Sequence, residues 1–412
     1  MSTILIVGQS FSGLNKYIVD QGDEYILLRD KHRVINPGKQ IKRRVLSDFS
    51  DESNIIAAAD ELHNVHAFDA VYALYEQYVV IAAKLAERYS LAGCPVAAAQ
   101  ACTDKFVMRQ LFARAPAKIS PDFAIVNTAQ DLTDFARSHA FPLIIKPTNL
   151  AKSLLVSKVS NESEMLESFS RIQAKQSAIY KRYAPHQKPQ FLIEEFMEGT
   201  IHSVDAFVDS TGQPFVLQEV VDYQTGHDIG YDDNFHYSRL LPSALPSSSI
   251  QEIRETAALG CRALGMKSTA AHVEVILTTD GPRIVEIGAR NGGYRSRMHD
   301  IANGIDITGN ALRLSLGKTP IITPKRNDPF AVFELFPKTP GIFTGVAHEA
   351  ELQKLPSLID YKLKYKPGDK IGKSSDGYKM TAVVMLHNTD AEQFKRDVDF
   401  VNTAVYVTTS TD

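Results

Sequence analysis

The sequence predicts an N-terminal domain of parallel α/β type followed by a larger α+β region. Short apolar runs at 4–8, 25–28 and 69–74 alternate with segments of helical pattern at 14–20 and 76–90. Strands of this length, separated by helices, are typical of a parallel sheet. From about residue 103 the order of the segments changes and strands follow one another more often, which indicates a second region of α+β type.

The second region contains helices, strands and two irregular segments. The predicted helices are 104–114, 129–139, 162–174 and 249–264, and the predicted strands are 122–126, 142–146, 153–158, 191–194, 202–208, 271–277 and 283–288. Residues 223–246 are rich in Gly, Asp, His, Pro and Ser, which predicts a long functional loop. The Pro-rich stretch 319–329 predicts a linker, and 330–412 predicts strands with one helix near 390–403.

Composition and charge narrow the class of protein. The chain has 412 residues, enough for two or three domains of about 150 residues each. Lys and Arg number 45 against 48 Asp and Glu, a formal charge of −3, so the basic excess of a nucleic-acid binder is missing. Three cysteines without a CxxC pair suit a reduced, intracellular protein, which we expect to be cytoplasmic. No apolar run approaches about 18 residues, so no membrane span is predicted, and the first residues lack the features of a secretory signal.

Two glutamates on neighbouring strands are the sharpest local feature. Residues 272–290 form two alternating runs that flank Thr279-Asp-Gly-Pro282, a turn signal. A symmetric hairpin centred on Asp280 places Glu274 directly opposite Glu286. A β-bulge in either strand would shift this register by one residue.

The alternation of side chains assigns the two faces of this hairpin. One face is apolar and consists of Val273, Val275, Leu277, Val285 and Ile287, and both glutamates lie on the other. Opposed carboxylates repel each other, and a divalent cation between them removes the repulsion. Hard oxygen ligands that leave room for water and phosphate oxygens suit Mg²⁺. The alternative is a solvent-facing pair whose charges are screened by water.

Two lysines and an acidic segment mark further candidate positions. Lys146 ends an apolar strand, where a lysine points into a cleft more often than into a core. Lys105 follows Thr103 and Asp104, either of which can cap the next helix. Residues 191–199 run from an apolar strand into acids, an aromatic and a glycine, and such a segment can present its backbone to a planar base. Each of these features alone is also compatible with an ordinary surface position.

Taken together and in this order, the motifs resemble the ATP-grasp superfamily. They are Asp104-Lys105-Phe-Val-Met-Arg109, Lys146-Pro147, Glu194-Glu-Phe-Met-Glu-Gly199, and Glu274 with Glu286-Ile-Gly-Ala-Arg290-Asn-Gly-Gly293. The last string resembles the signature of L-amino acid ligases of the bacilysin-synthetase and carnosine-synthase type. The resemblance covers most of the chain. It implies a pre-ATP-grasp α/β domain at 1–103, a small lid subdomain of the ATP-grasp fold at 104–190, a large subdomain with the metal site at 191–324, and a small C-terminal α+β domain at 325–412.

The resemblance also implies roles for individual residues. Lys105 and Lys146 contact the phosphates of ATP, and Glu274 and Glu286 hold Mg²⁺, with Mn²⁺ as the alternative ion. Arg290 lies beside the reacting carbonyl and is, with Lys146, a predicted catalytic residue. The other predicted nucleotide contacts are Glu194, Glu195, Phe196, Met197 and His202, with the backbone of 195 and 197 nearest the adenine. The predicted substrate contacts are Glu76, Arg239, Asn291, Gly292 and Gly293.

Three positions depart from the family pattern. The phosphate loop 148–153, usually glycine-rich, here ends in Ser153, which would face the phosphates with the backbone amides. Ile201 replaces the glutamate that usually binds ribose, and His202 lies next to it. Gly288 stands where the second metal strand often carries an asparagine.

The implied reaction is ATP-dependent formation of an amide bond. One substrate carboxylate takes the γ-phosphate to give an acyl phosphate, the amine of a second substrate attacks it, and ADP and phosphate are released. Arg290 would stabilise the oxyanion, and loops 148–153 and 223–240 would close over the site. No general base stands out, although His227 and His236 lie in the predicted loop. We expect small-molecule substrates, amino acids above all, and no nucleic-acid or membrane partner.

Other interpretations stay open at this point. A different ATP-grasp ligase, of the purine pathway or of the carboxyphosphate-forming type, would use the same nucleotide site. A degenerate ATP-binding module with a regulatory role is supported by the atypical phosphate loop and by Ile201. A nicotinamide-dependent oxidoreductase lacks its fingerprint, because Gly8 to Gly13 is GQSFSG instead of GxGxxG. The sequence names neither the two substrates nor the oligomeric state, since helix 76–90 would pack internally or at a homodimer interface.

Overall fold

The N-terminal residues form the predicted parallel sheet. The structure is a computed structural model that describes residues 1–31, 44–150, 154–184 and 187–411. Its N-terminal sheet contains β1 (Thr3–Val7), β2 (Glu24–Asp30), β3 (Arg44–Ser47) and β4 (Ala70–Tyr72), paired in parallel in the order β3-β2-β1-β4. Helix α1 (Ser12–Asp20) follows β1, and helix α2 (Glu52–His66), which the sequence analysis did not identify, follows β3. The strand order reverses beside β1, so the carboxyl ends of β1 and β4 flank a crevice of the kind that binds ligands in such sheets.

Three helices lead from this sheet to an antiparallel one, called here the middle sheet. They are α3 (Val79–Arg88), α4 (Val96–Thr103) and α5 (Lys105–Phe112). The predicted helix 76–90 begins instead with a 3₁₀ turn at Glu76–Tyr78. The middle sheet contains β5 (Phe123–Val126), β6 (Leu143–Pro147), β7 (Ser157–Val159) and β8 (Phe191–Glu195), in the order β5-β8-β6-β7, with helices α6 (Ala129–Ala136) and α7 (Glu162–Tyr183). A separate apolar core joins these strands to both helices.

The large sheet carries most of the remaining strands. They are β9 (Thr200–Val208), β10 (Pro214–Val216), β11 (Val221–Thr225), β12 (His236–Leu241), β13 (Thr269–Thr278), β14 (Gly281–Gly288), β15 (Phe330–Leu335), β17 (Leu358–Leu363) and β19 (Ala382–His387). Their order is β14-β13-β9-β11-β12-β15-β19-β17, with β10 paired to β9. The associated helices are α8 (Ser247–Ala263), α9 (Arg295–Asn303) and α10 (Ile307–Ser315).

The C-terminal residues contribute to two sheets. Strands β16 (Gly341–Val346), β18 (Lys370–Ile371) and β20 (Val407–Ser410) form a small sheet beside helices α11 (Glu349–Leu352) and α12 (Ala391–Ala404). In contrast, β15 pairs with β12, so the large sheet continues across the predicted linker 319–329. The four predicted domains stay a prediction. Of the helices in the described ranges, none combines the length and the apolar character that crossing a bilayer requires.

The prediction of a loop at 223–246 is wrong. Strands β11 and β12 pair as an antiparallel hairpin inside the large sheet. The glycines and aspartates of this segment are concentrated in the connection 226–235, and the residues of β11 alternate between buried and less buried positions as strands do. In the connection, the Asp233 carboxylate accepts hydrogen bonds from the backbone N–H groups of Ser374 and Ser375, which fastens it to the C-terminal region.

The β13–β14 hairpin confirms the predicted pairing and adds the bulge. Glu274 lies opposite Glu286, as the symmetric turn predicts. Nearer the turn Val275 pairs with Ile284, so Val285 has no partner across the hairpin. The prediction that Val285 belongs to the apolar face is therefore wrong, because the bulge turns Ile284 into the core and leaves Val285 partly exposed.

Candidate active site

The glutamate pair lies on the face of the hairpin away from the apolar core. Lys105 Nζ is 2.9 Å from Glu286 Oε2, and attraction to this ammonium holds the pKa of Glu286 below its usual range. His272 Nε2 is 3.6 Å from Glu274 Oε1. Burial opposes the charge of Glu274, but the hydrogen bond from His272 holds its pKa well below normal. Both carboxylates are therefore ionised at neutral pH.

The donor set of this pair fits a hard divalent cation. The side chains of Glu274 and Glu286 are 19% and 31% exposed, so an ion can reach them from the open side. Carboxylate oxygens are the ligands that Mg²⁺ takes in nucleotide-binding sites, usually one or two per ion with water and phosphate oxygens completing the shell. Two adjacent carboxylates also repel each other, and an ion between them relieves this repulsion.

Helix α5 places Lys105 at the junction of the middle and large sheets. The carboxylate of Asp104 caps the helix by accepting a hydrogen bond from the Phe106 N–H at 2.9 Å. The Lys105 N–H donates to the Thr148 carbonyl at 2.8 Å, and its Nζ donates to the Leu150 carbonyl at 3.2 Å. The lysine thus joins the start of the predicted phosphate loop to the glutamate pair.

Part of the predicted phosphate loop 148–153 lies outside the described residues. Residues 148–150 are described, whereas Ser153, the predicted phosphate contact, lies outside the described residues. Its role therefore stays a prediction.

Lys146 and Glu194 belong to one buried ionic cluster. Lys146 Nζ is 2.5 Å from Glu194 Oε2, and Arg109 Nε donates to Glu194 Oε1 at 2.7 Å. Glu194 is 2% exposed and Arg109 is fully buried. Burial lowers the pKa of Lys146 to about 8, although the charge of Glu194 acts in the opposite direction. The carboxylate of Glu194 is therefore engaged by two cations, and its predicted contact with adenine would have to come from the backbone.

Residues 195–197 leave the middle sheet and cross to the large one. The Glu195 carboxylate accepts a hydrogen bond from the Asp122 N–H at 3.0 Å, which holds it at the start of β5. The ammonium of Lys158 lies over the ring of Phe196, 3.7 Å from the ring centroid. Within the described residues, no backbone hydrogen bond occupies the N–H of Met197, which suits the predicted adenine contact. The nucleotide contacts of all three residues stay predictions.

His202 lies in a buried polar network on β9. Its Nε2 is 2.6 Å from Thr200 Oγ1, and its Nδ1 is 2.8 Å from Asp222 Oδ1. The ring is 3% exposed and both nitrogens have protein partners. A nucleotide contact by His202 stays a prediction, and it would require one of these bonds to open.

Arg290 and Glu76 form a pair that joins two parts of the fold. Arg290 Nε donates to Glu76 Oε2 at 2.8 Å, and its Nη2 lies 2.6 Å from the same oxygen. Glu76 follows β4 at the crevice of the N-terminal sheet, and Arg290 follows β14. The two residues were predicted separately, as an amine contact and an oxyanion contact, and the structure brings them together. Burial disfavours the charge of Arg290, but Glu76, Glu286 and Glu274 attract it and raise its pKa.

The three residues after Arg290 differ in what surrounds them. Asn291 is 8% exposed and donates to the Tyr72 hydroxyl at 3.4 Å. A Cβ on Gly292 would lie 2.4 Å from His272 Nδ1, whereas a Cβ on Gly293 would meet nothing within 4 Å. Gly292 was predicted to admit substrate to the backbone, but the structure corrects this, because the missing side chain makes room for His272. Gly293 alone fits the predicted open approach.

Arg239 on β12 is also paired within the protein. Its Nη2 is 3.1 Å from Glu334 Oε2, and the other oxygen of Glu334 accepts a hydrogen bond from the Tyr294 hydroxyl at 2.7 Å. The predicted contact with a substrate carboxylate would therefore use the remaining guanidinium donors. His236 begins the same strand, and burial holds its pKa below normal despite attraction from Glu274.

A buried network behind the glutamate pair was missed by the sequence analysis. Asp205 Oδ1 is 2.9 Å from His272 Nδ1, and its Oδ2 is 3.3 Å from Arg295 Nε. Burial opposes the charge of His272, but Asp205 and Glu274 raise its pKa to about 10. The imidazolium thus connects a buried carboxylate to a candidate metal ligand. The alternation of side chains along β13 indicates that His272 lies on the same face as Glu274. Asp205, the partner of His272, is 67 residues away in sequence, so no local pattern indicates this contact.

Two parts of the chain match known protein families. Residues 139–297 match a family of ATP-grasp domains, and residues 334–410 match the L-amino acid ligase C-terminal domain 2. Alanine–anticapsin ligase of Bacillus subtilis (strain 168) is 25% identical over 252 residues, which are 59% of this chain and 52% of that protein. Carnosine synthase 1 of Gallus gallus is 26% identical over 281 residues, 63% of this chain and 28% of that protein. The chain spans about half the length of the first relative and less of the second.

The fold also agrees with a solved structure over its whole length. The crystal structure of L-amino acid ligase from Bacillus licheniformis superposes with a TM-score of 0.79, at 18% identity, over 100% of this chain and 99% of that chain. At this identity the agreement concerns the fold.

Proposed function

We propose that the chain is an ATP-dependent carboxylate–amine ligase, because it has the ATP-grasp fold and its residues 334–410 match the L-amino acid ligase C-terminal domain 2. It joins two small substrates, most naturally amino acids, through an amide bond and releases ADP and phosphate. The names of the alanine–anticapsin ligase and of the L-amino acid ligase among its relatives support this substrate class. The identity of the two amino acids is left open by this proposal.

One observation supports the proposal above all others. Glu286 contacts Lys105, and Arg290, which pairs with Glu76, is attracted by both Glu286 and Glu274. We infer that a nucleotide–metal site and a substrate site adjoin each other here. This is the arrangement that transfer of a phosphoryl group to a substrate carboxylate requires.

In the first step, a carboxylate oxygen of one substrate attacks the γ-phosphorus of ATP and ADP leaves. Lys105 and Lys146 stabilise the negative charge that spreads over the phosphoryl oxygens. Glu274 and Glu286 would hold Mg²⁺ or Mn²⁺, which supplies further charge compensation when bound. The product is an acyl phosphate, which must be protected from water.

In the second step, the amine of the other substrate attacks the acyl carbon and phosphate leaves. Arg290 can donate hydrogen bonds to the oxyanion that develops, because only part of its guanidinium is occupied by Glu76. Glu76 attracts a substrate ammonium group to the crevice of the N-terminal sheet. Burial keeps His236 largely uncharged at neutral pH, so it is able to accept the proton that the amine loses.

The experiment that tests this proposal measures nucleotide turnover with Mg²⁺-ATP and pools of amino acids and small carboxylic acids. ADP and AMP are resolved, and the full chain is used. We expect ADP and phosphate to form only with particular pairs of acid and amine, together with a product of the summed mass less water.

Three other outcomes would contradict the proposal. AMP with pyrophosphate would mean adenylation of the acid. ADP formation stimulated by bicarbonate alone would indicate a carboxyphosphate-forming enzyme. ATP binding without turnover in any pool would favour a regulatory ATP-binding module.

A further inference from the structure

Arg109 lies at the centre of the site, but no nucleotide or substrate can touch it. It is on α5, one helical turn after Lys105, and its side chain is fully buried. Its Nε donates to Glu194 Oε1 at 2.7 Å, and its Nη2 donates to the Val285 carbonyl at 2.8 Å. The guanidinium thus joins the helix to the middle sheet through Glu194 and to the large sheet through Val285.

The Val285 carbonyl is a special acceptor because it belongs to the β-bulge. Residue 285 has no partner in the β13–β14 ladder, and Glu286 follows it immediately. A bulged residue leaves its backbone groups in need of another partner, and here Arg109 provides the donor. The orientation of the strand at Glu286 therefore depends on this hydrogen bond.

The guanidinium of Arg109 also affects the ammonium of Lys146, since both groups contact the Glu194 carboxylate. Glu194 Oε1 accepts a hydrogen bond from Arg109 Nε, and Oε2 lies 2.5 Å from Lys146 Nζ and accepts a longer bond of 3.5 Å from Arg109 Nη2. The charged groups that act on Lys146 are Glu194, which attracts it, and Arg109 and Lys105, which repel it. Burial and this repulsion together place the pKa of Lys146 at about 8.

We propose that Arg109 is a positioning residue that aligns Lys146 with Glu286 across the junction of the two sheets. It does this through the Glu194 carboxylate on one side and the Val285 carbonyl on the other. The inference rests on the proposed function, since that function gives Lys146 the phosphates and Glu286 the metal ion. Only a guanidinium spans both acceptors, because its donors are fixed in a planar fork, whereas a lysine ammonium has a single position.

The test compares Arg109→Lys and Arg109→Gln with wild type, and Arg114→Gln serves as the matched control. Arg114 is exposed in the turn that follows α5. We expect both Arg109 variants to lose about 100-fold in kcat for ADP formation, since a displacement of about 1 Å at reacting groups has this effect. Their circular dichroism spectra should stay those of wild type, and Arg114→Gln should turn over normally.

The pKa of Lys146 distinguishes a positioning role of Arg109 from a purely structural one, because a purely structural role would not shift it. Arg109→Gln removes a positive charge beside the ammonium, so the pKa of Lys146 rises above about 8. The alkaline limb of the pH–kcat/KM profile should move to higher pH in this variant, but stay in place in Arg114→Gln. NMR of ¹³C-lysine-labelled protein follows the same titration without substrates, with the resonance assigned by its loss in Lys146→Met.

The possible outcomes separate this inference from the proposed function. A shifted lysine titration in a protein that makes no amide product would contradict the ligase function and leave the link between Arg109 and Lys146 intact. Wild-type kcat in either Arg109 variant, or a loss of activity without movement of the alkaline limb, would overturn the positioning role. If neither Arg109 variant folds, Arg109 serves stability alone and the proposal is wrong.

Discussion

Glu286 is the residue whose charge connects the lysine of α5 to the proposed metal ion. Replacing it with glutamine keeps the size of the side chain and removes the charge that both partners need. We expect Glu286→Gln to lower the rate of ADP formation at least about 100-fold, because charge stabilisation is the main source of catalysis in phosphoryl transfer. The rate is measured as a function of Mg²⁺ concentration.

The same substitution should leave the fold intact. Glu286 is 31% exposed, and Lys105 keeps its hydrogen bond to the Leu150 carbonyl, so we expect the variant to stay folded. Glu252→Gln, at an exposed position on α8, is the matched control and should be fully active. Near-normal turnover by Glu286→Gln at low Mg²⁺ would reject the metal assignment.

The sequence identifies ionisable residues better than it identifies their partners. Glu76 and Arg290 were candidates because of their types and positions, but their pairing joins residues 214 apart in the chain. Glu194 has a motif position that implies the adenine hinge, whereas its carboxylate is bound by Arg109 and Lys146. Such pairings depend on how helix α5 packs between two sheets, and no local pattern encodes that.

At the level of elements, the β13–β14 hairpin illustrates what alternation can predict. The turn signal and the period of two give Glu274 opposite Glu286 and the apolar face at Val273 and Val275. The bulge at Val285 is invisible to this pattern, because the donor that satisfies its carbonyl comes from a distant helix. Similarly, β11 and β12 were hidden because the polar connection 226–235 dominated the composition of the whole segment.

The connection between β14 and α9 contains two glycines that differ in their surroundings, and this leads to a prediction. Gly292→Ala would place a methyl group 2.4 Å from the ring of His272, which Asp205 holds in place. We expect a loss of about 1–3 kcal/mol in the free energy of unfolding, as overpacking typically causes. Gly293→Ala is the matched control, because its Cβ would meet nothing within 4 Å, and its stability should stay within about 0.5 kcal/mol of wild type.

Denaturant unfolding followed by circular dichroism measures both glycine variants. Because His272 contacts Glu274, Gly292→Ala should also lower the rate of ADP formation. Equal stability of the two variants would mean that His272 moves aside freely, and the rigid network around Asp205 would then be refuted.

The large sheet determines whether the chain can be divided into parts that fold independently. Composition predicts a linker at 319–329, since proline-rich stretches often separate domains, and the family resemblance implies a boundary at 324. The structure pairs β15 with β12 along residues 238–241, so strands from both sides of that boundary share one sheet. They also share one apolar core, in which Phe235 and Tyr237 pack with Phe333 and Val384. Sequence composition marks the connection correctly as irregular, but it contains no information about which strands pair after it.

This continuity predicts that the first 324 residues do not fold without the rest. Removing residues 325–412 would expose the edge of β12 and take away most of the core around Phe235 and Tyr237. Unpaired, apolar strand edges promote aggregation, so we expect the fragment 1–324 to be insoluble or to unfold without a cooperative transition. The measurement is a thermal melt with and without Mg²⁺-ATP.

A chain cut once within the linker is the appropriate control. A protease site introduced at 324–325 leaves every strand present, and the β12–β15 pairing should hold the two pieces together with normal stabilisation by Mg²⁺-ATP. If the fragment 1–324 instead melts cooperatively and is stabilised by Mg²⁺-ATP as the full chain is, the region 325–412 is an independent domain and the boundary drawn from the sequence is the better description. If the cut chain separates into two folded pieces, the shared sheet contributes little to stability. Loss of the cooperative transition in the truncation, with its retention in the cut chain, would mean that β13 and β14 depend on the same continuous core as the C-terminal strands.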